Sequence, residues 1–313
     1  VLMAIILWLP TFITRSAFFI GENNTPLYNI IISLSEFSPF LADLIVFAVF
    51  ILCVFLFNSV LSANRLVNKY STFGALTFVL MMCCVSDLRS CYPFMLSCPF
   101  ILMAMHTLFL IYQTDNPENY MMNVGYFIAI ASLFYYPSIF LMIWVFISFI
   151  IFGYRKLRYL LIPFVAFMII NFIVIGLFFL IGDFNALIES YLTFFKNMSL
   201  SFELSLINTI FLSILTILFF ISLLIIFGNR NSDYGSNFRK RVGVSIVLTI
   251  ISSVIFFMQK PLMSNLLIFM MFAFFYAIAL SDIKKSRIAN IMMIVMTLMI
   301  IVNRYLPIFG IMI

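Results

Sequence analysis

Charge is scarce in this sequence, and the scarcity excludes most soluble folds. Only 9% of the 313 residues are Asp, Glu, Lys or Arg, where a soluble domain carries about a quarter. With 65% of residues hydrophobic, one core in water could not hide the apolar surface. A bilayer accepts it. Histidine occurs once, as His106, which excludes two-histidine metal motifs of the HExxH kind. The ten glycines form no phosphate loop, Walker A or Rossmann fingerprint, so no nucleotide cofactor is expected. The five cysteines, Cys53, Cys83, Cys84, Cys91 and Cys98, lack zinc or redox spacing. They read as small membrane-helix residues, and no cofactor or metal is assigned. The chain starts at Val1 inside an apolar run with no basic leader or cleavage site. That run reads as a membrane helix rather than a signal peptide, with a few native residues missing before it.

What is abundant is long apolar stretches. Uncharged windows long enough to cross a hydrocarbon layer of about 30 Å recur along the chain. Runs such as Leu204 to Gly228 do not alternate apolar and polar residues as an outer-membrane barrel strand would. The expected fold is therefore all-α, a polytopic transmembrane helix bundle. About eleven segments are expected, over 1–14, 39–61, 72–86, 92–113, 124–136, 138–153, 159–181, 204–228, 242–258, 263–281 and 288–303.

Placing alternate loops on opposite sides separates the charges. One side collects Arg65, Lys69, Arg155, Lys156, Arg158, Arg230, Arg239, Lys240, Arg241, Lys284, Lys285 and Arg287. The other holds Arg15, Arg89, Lys196, Lys260 and Arg304. By the positive-inside rule the first side is cytoplasmic, which puts the N-terminus inside and the C-terminus outside a bacterial inner membrane. Basic residues in short clusters between apolar segments are topology signals, not a nucleic-acid patch.

This orientation requires residues 124–153 to enter and leave on one side. Two short helices broken near Tyr136-Pro137 satisfy it, because proline removes a backbone donor. A single kinked helix is the alternative. The outer side then receives Glu22, Glu36, Asp43, Asp87, Asp183, Glu189 and Glu203, and the two longest loops, 15–38 and 182–203. Stretches such as Leu27-Tyr28-Asn29-Ile30-Ile31-Ile32 and Leu187-Ile188-Glu189-Ser190-Tyr191-Leu192 read as helices lying in the interface. The working face is expected there.

Few side chains are candidates for chemistry. His106 lies in an apolar segment, where an ionisable group invites a functional reading. A neutral imidazole bonded to a neighbouring helix is the plainer reading and is preferred. Asn58, Asn171 and Asn208 could line a pathway or bond across helices. On the outer side, Glu22 and Asp87 could serve as general base towards an acceptor hydroxyl. Arg15 and Arg89 could hold a lipid phosphate through paired hydrogen bonds. The plainer reading makes all four solvated loop charges or caps, like Asp43 near the start of a helix.

The stretch Thr25-Pro26-Leu27-Tyr28-Asn29-Ile30-Ile31-Ile32, the helix ending near Asn64-Arg65-Leu66, and Tyr70-Ser71-Thr72-Phe73-Gly74-Ala75-Leu76 resemble the N-terminal part of polytopic glycosyltransferases with the C-type fold. Ala129-Ile130-Ala131-Ser132-Leu133-Phe134-Tyr135-Tyr136-Pro137 is similar to their short mid-chain helices. The whole chain resembles a family of polytopic Bacteroidetes inner-membrane proteins sharing the Ala-Ser-Leu-Phe-Tyr-x-Pro stretch. The glycosyltransferase resemblance covers about residues 1–150, with 151–313 as additional transmembrane helices of one membrane domain. It implies sugar transfer from a polyprenyl-phosphate donor at the extracytoplasmic face, with Glu22 and Asp87 matching the first- and second-loop acids. The first loop departs from the family's paired acids, because Asn23 and Asn24 follow Glu22. That departure leaves open a non-catalytic relative.

Three functions follow from these features: such a transferase; a non-catalytic subunit or scaffold of an envelope assembly, with a membrane-protein partner; or a small-molecule or lipid transporter. No repeat between halves supports the transporter. Membrane lipids are partners in each case, and nucleic acid in none.

Overall fold

The computed structural model describes residues 2–13, 25–68, 71–85, 87–112, 114, 116–198, 206–229, 236–258, 265–283 and 286–305. These residues form helices and no strand. The helices are α1 (Leu2–Ile13), α2 (Tyr28–Phe37), α3 (Pro39–Ala63), α4 (Phe73–Met82), α5 (Tyr92–Ile111), α6 (Glu118–Phe134) and α7 (Leu141–Phe152). They continue with α8 (Leu157–Ile181), α9 (Phe184–Lys196), α10 (Leu206–Asn229), α11 (Ser236–Met258), α12 (Leu267–Asp282) and α13 (Ser286–Tyr305). One-turn 3-10 helices precede α5 at Arg89–Cys91 and α7 at Tyr136–Phe140.

Among the described residues, five helices are long and apolar enough to cross a membrane: those covering Pro39–Ala63, Arg89–Ile111, Leu157–Ile181, Asn208–Gly228 and Asn237–Met258. Five shorter apolar helices accompany them: Leu2–Phe12, Phe73–Met82, Tyr136–Phe152, Leu267–Asp282 and Ala289–Tyr305. In α12 every residue from Leu267 to Leu280 is buried, so it forms the centre of the bundle beside α4, α10 and α11. In α8, by contrast, only Pro163 and Ala166 are buried, and Phe172 is 77% exposed. Apolar surface displayed on that scale is what a lipid-facing helix presents.

Close packing depends on one glycine in particular. A Cβ on Gly125 of α6 would lie 2.3 Å from the Pro163 carbonyl oxygen and 2.9 Å from the Ala166 Cβ of α8. The missing side chain lets the two backbones touch, as small residues do between membrane helices.

Two ends of the bundle are defined by cross-links. At one, Asp43 of α3 meets Arg89 and Tyr92, and the Phe94 and Tyr135 rings pack edge to face. At the other, the Asn64 side-chain amide faces His106 Nδ1 at 3.3 Å, and Arg241 Nη1 donates to the Asn64 carbonyl at 2.7 Å. Arg65, just beyond α3, adopts a left-handed conformation (φ 53°) as the Leu66 N–H bonds back to the Leu61 carbonyl. The imidazole is thus bonded to a neighbouring helix, as the plainer reading of His106 has it. Asn58 bonds across helices too: its Oδ1 accepts from the Ala75 N–H.

α6 and α7 run in opposite directions between these ends. Glu118 at the start of α6 pairs with Arg158 at the start of α8 at 2.9 Å. The Tyr154 hydroxyl, just past α7, donates to the Ile111 carbonyl at the end of α5. A single kinked helix would carry Tyr154 far from both. The chain turns instead at Tyr135, whose extended backbone (φ −148°, ψ 99°) separates α6 from the Tyr136–Phe140 turn. The left-handed Gly153 then ends α7.

Arg155, Lys156, Arg158, Arg239, Lys240, Arg241 and Arg65 gather at the Asn64 end. Lys240 lies over the Tyr112 ring there, 4.1 Å from its centroid. Asp43, Asp87 and Glu189 of α9 belong to the opposite end, where Ser190 meets Tyr136. The loop stretches read as interfacial are helical: α2 and α9 carry a polar face and an apolar one.

Candidate functional site

The Asp43 end brings the most polar chemistry together. Arg89 enters the bundle rather than solvent. Its Nη2 donates to Asp43 Oδ2 at 2.6 Å and its Nε to Asp43 Oδ1 at 3.2 Å, with side-chain exposures of 6% and 3%. The Tyr92 hydroxyl donates to the same Oδ1 at 2.6 Å, and Arg89 Nη2 also reaches the Thr11 carbonyl at 3.3 Å. A buried carboxylate needs such partners, because an uncompensated charge away from water is costly. Asp43 therefore acts as a counter-ion joining α3 to α5, not as a cap at the start of its helix.

A second buried arginine lies nearby. Arg304 of α13 donates through Nε to the Leu7 carbonyl at 3.2 Å and through Nη1 to the Val85 carbonyl at 3.3 Å. Its Nη2 bonds the Thr11 hydroxyl. Asn303 Nδ2 reaches the Cys84 carbonyl at 2.6 Å, and the Tyr305 hydroxyl reaches the Ile6 carbonyl at 2.7 Å. Thr11 thus receives Arg89 on its carbonyl and Arg304 on its hydroxyl, tying α1, α3, α5 and α13 at one level.

Asp87 remains at the surface. Its Oδ1 accepts from the Arg89 N–H at 3.2 Å, and its carbonyl accepts from Ser90 Oγ at 2.8 Å, so it caps the Arg89–Cys91 turn. Tyr28 of α2 lies close by; burial first, and then the Asp87 carboxylate, hold its phenol above the ordinary value and so neutral.

The first loop is stitched to the break between α6 and α7. A helix end leaves carbonyls without partners, and here the Thr25 hydroxyl donates to the Phe134 carbonyl at 2.9 Å and the Leu27 N–H to the Leu133 carbonyl at 3.2 Å. On the far side of the break, the Tyr136 hydroxyl and Ser190 Oγ of α9 are 2.7 Å apart, and the Tyr136 ring packs on Tyr191 and Phe194.

Of the residues nominated from the sequence, Asp87 and Arg89 share one turn but face different ways. Asp87 faces outward and Arg89 inward. Glu22 and Arg15 lie outside the described residues. Sequence reasoning did not join Asp43, Tyr92, Thr11 and Arg304 to Arg89. The available signal was an acid inside one apolar segment and a base at the same end of another. Among the described residues no group of three His, Cys, Asp or Glu side chains converges to hold a metal. Comparison with family models, with curated proteins and with solved structures finds no match.

Proposed function

We propose that the chain is a multi-pass protein of the bacterial inner membrane, with its Asn64 end in the cytoplasm, its Asp43 end outside and about eleven segments, counting α6 and α7 as a returning pair. In this reading it is a non-catalytic membrane subunit of an envelope assembly. The observation that carries it is the inward commitment of Arg89 and Arg304. Transfer from a lipid-linked phosphate needs a cation facing the donor, and both arginines instead bind Asp43, Thr11 and backbone carbonyls. Affinity purification of the tagged chain in mild detergent should return a stable stoichiometric membrane partner. Repeated recovery of a lone monomer would count against the subunit reading.

The exposed Asp87 favours a second reading, the sugar transferase that the glycosyltransferase resemblance implies. It stands where the first loop docks, as an acceptor-activating base would. Here Asp87→Asn should abolish transfer from a polyprenyl-phosphate donor in vitro and alter the cellular glycan profile. Unchanged transfer and an unchanged profile would end that reading.

A further inference from the structure

Asn64 and Arg241 are 2% and 6% exposed, and each leaves one polar atom without a partner among the described residues. Asn64 Nδ2 donates to the Val60 carbonyl at 2.7 Å and faces His106 Nδ1 at 3.3 Å. Both contacts run through the amide nitrogen, so the unmet atom is the acceptor Oδ1. Arg241 Nη1 donates to the Asn64 carbonyl at 2.7 Å, and Nη2 has no acceptor. Among the described residues Arg241 makes no ion pair, and Glu118, at this end, is bound to Arg158. A buried guanidinium without a counter-ion, beside an unmet acceptor, is costly unless a ligand meets both.

Arg65 supplies a second cation at the same peptide bond, since it follows the Asn64 carbonyl that Arg241 binds. Its φ of 53° is left-handed, and the left-handed positions that end α7 and α8 hold Gly153 and Gly182. An arginine kept where the backbone favours glycine invites a functional reading. The geometry points to a site for the phosphoglycerol headgroup of one anionic phospholipid. Its phosphate accepts from Arg241 Nη2 and the Arg65 guanidinium, and a glycerol hydroxyl donates to Asn64 Oδ1. Nη2 is enclosed, and the exposed turn at Arg65 is the element that shifts to admit the phosphate. Phosphoethanolamine also carries a donor, but it sets an ammonium among like charges. A bridging water would satisfy both atoms and leave the guanidinium unbalanced. Position favours a lipid over a soluble phosphate. Asn64 and Arg65 directly follow the 25-residue apolar α3, at the level where basic residues meet headgroups. An apolar groove along α3, lined by Ile51, Leu52, Phe55 and Ser59, runs towards that end and takes an acyl chain. The site requires a multi-pass chain and holds under either functional reading.

The full-length protein, delipidated in mild detergent, would be titrated with dioleoyl phosphatidylglycerol, dioleoyl phosphatidylethanolamine and soluble glycerol 3-phosphate. Native mass spectrometry reads retention, and thermal scans read the unfolding midpoint. One phosphatidylglycerol should be retained per chain and raise the midpoint, and the other two ligands should do neither. Arg241→Gln, which can still donate to the Asn64 carbonyl, should weaken retention about tenfold, the loss of one charged hydrogen bond. Arg65→Gly should weaken retention while raising the midpoint of the lipid-free protein, because glycine suits that backbone. It decides the question if Arg241→Gln fails to fold. Arg158→Gln, at the same end but already paired with Glu118, should retain the lipid as the parent does. Equal retention of phosphatidylethanolamine, or undiminished retention in Arg65→Gly, would overturn the site. So would an equal loss in Arg158→Gln. A midpoint raised by glycerol 3-phosphate as much as by the lipid would overturn the lipid assignment in favour of a soluble phosphate.

Discussion

Asp43 and Arg89, 46 residues apart in the chain, meet inside the bundle at 2.6 Å, with the Tyr92 hydroxyl on the same carboxylate. Desolvating such a pair offsets much of its attraction, so its net contribution is small, yet breaking it is costly. Removing one partner leaves a lone charge in an apolar setting, at about 3–5 kcal/mol. Arg89→Ala and Asp43→Ala should each lower the unfolding midpoint in detergent sharply. The double variant Asp43→Asn/Arg89→Gln should recover most of the loss, because no charge is left unpaired. If each single variant matched the parent, Arg89 would be doing something other than joining α3 to α5.

The Thr25 hydroxyl makes one hydrogen bond to the Phe134 carbonyl, where α6 gives way to α7. Thr25→Val keeps the shape and removes the donor, at a cost of about 1 kcal/mol. Backbone amides of α2 should then exchange with deuterium faster, while those of α12 stay unchanged. Equal exchange in α2 would mean that the first loop is held by other contacts.

Gly125 and Gly176 predict opposite outcomes for the same substitution. Gly125→Ala drives a Cβ into the Pro163 carbonyl, a rigid group, whereas a Cβ on Gly176 meets nothing within 4 Å. Overpacking of the first kind costs about 1–3 kcal/mol. Gly176→Ala gains about 0.5–1 kcal/mol of helix preference. Thermal unfolding of the two variants should move in opposite directions, and a matching shift would contradict the α6–α8 contact.

Much of the architecture could be read from the sequence because hydropathy and charge act locally. The apolar runs over 39–61 and 159–181 became α3 and α8, and the break expected at Tyr136-Pro137 lies between α6 and α7. Helix ends were harder to place. α6 begins at Glu118 and α11 at Ser236, each about six residues before the apolar segment expected there. A helix continues into water through polar turns, and hydropathy does not register them. Pro117, preceding α6, is a start signal of a different kind. The site was legible only in part. Arg89 was singled out by its type and loop, but its partner is chosen by helix packing. Nothing near position 89 in the chain announces that α3 will deliver an acid to it.

Orientation ties these features together, and reporter fusions test it most directly. Alkaline phosphatase and green fluorescent protein would be fused after Asn116, after Arg155 and after Asp183. With α6 and α7 returning to one side, as the Glu118–Arg158 pair requires, the first two sites should both be fluorescent and phosphatase-inactive. The third should be phosphatase-active. Opposite signals at Asn116 and Arg155 would contradict the returning pair, and with it the placement of the Asp43 end on the extracytoplasmic side.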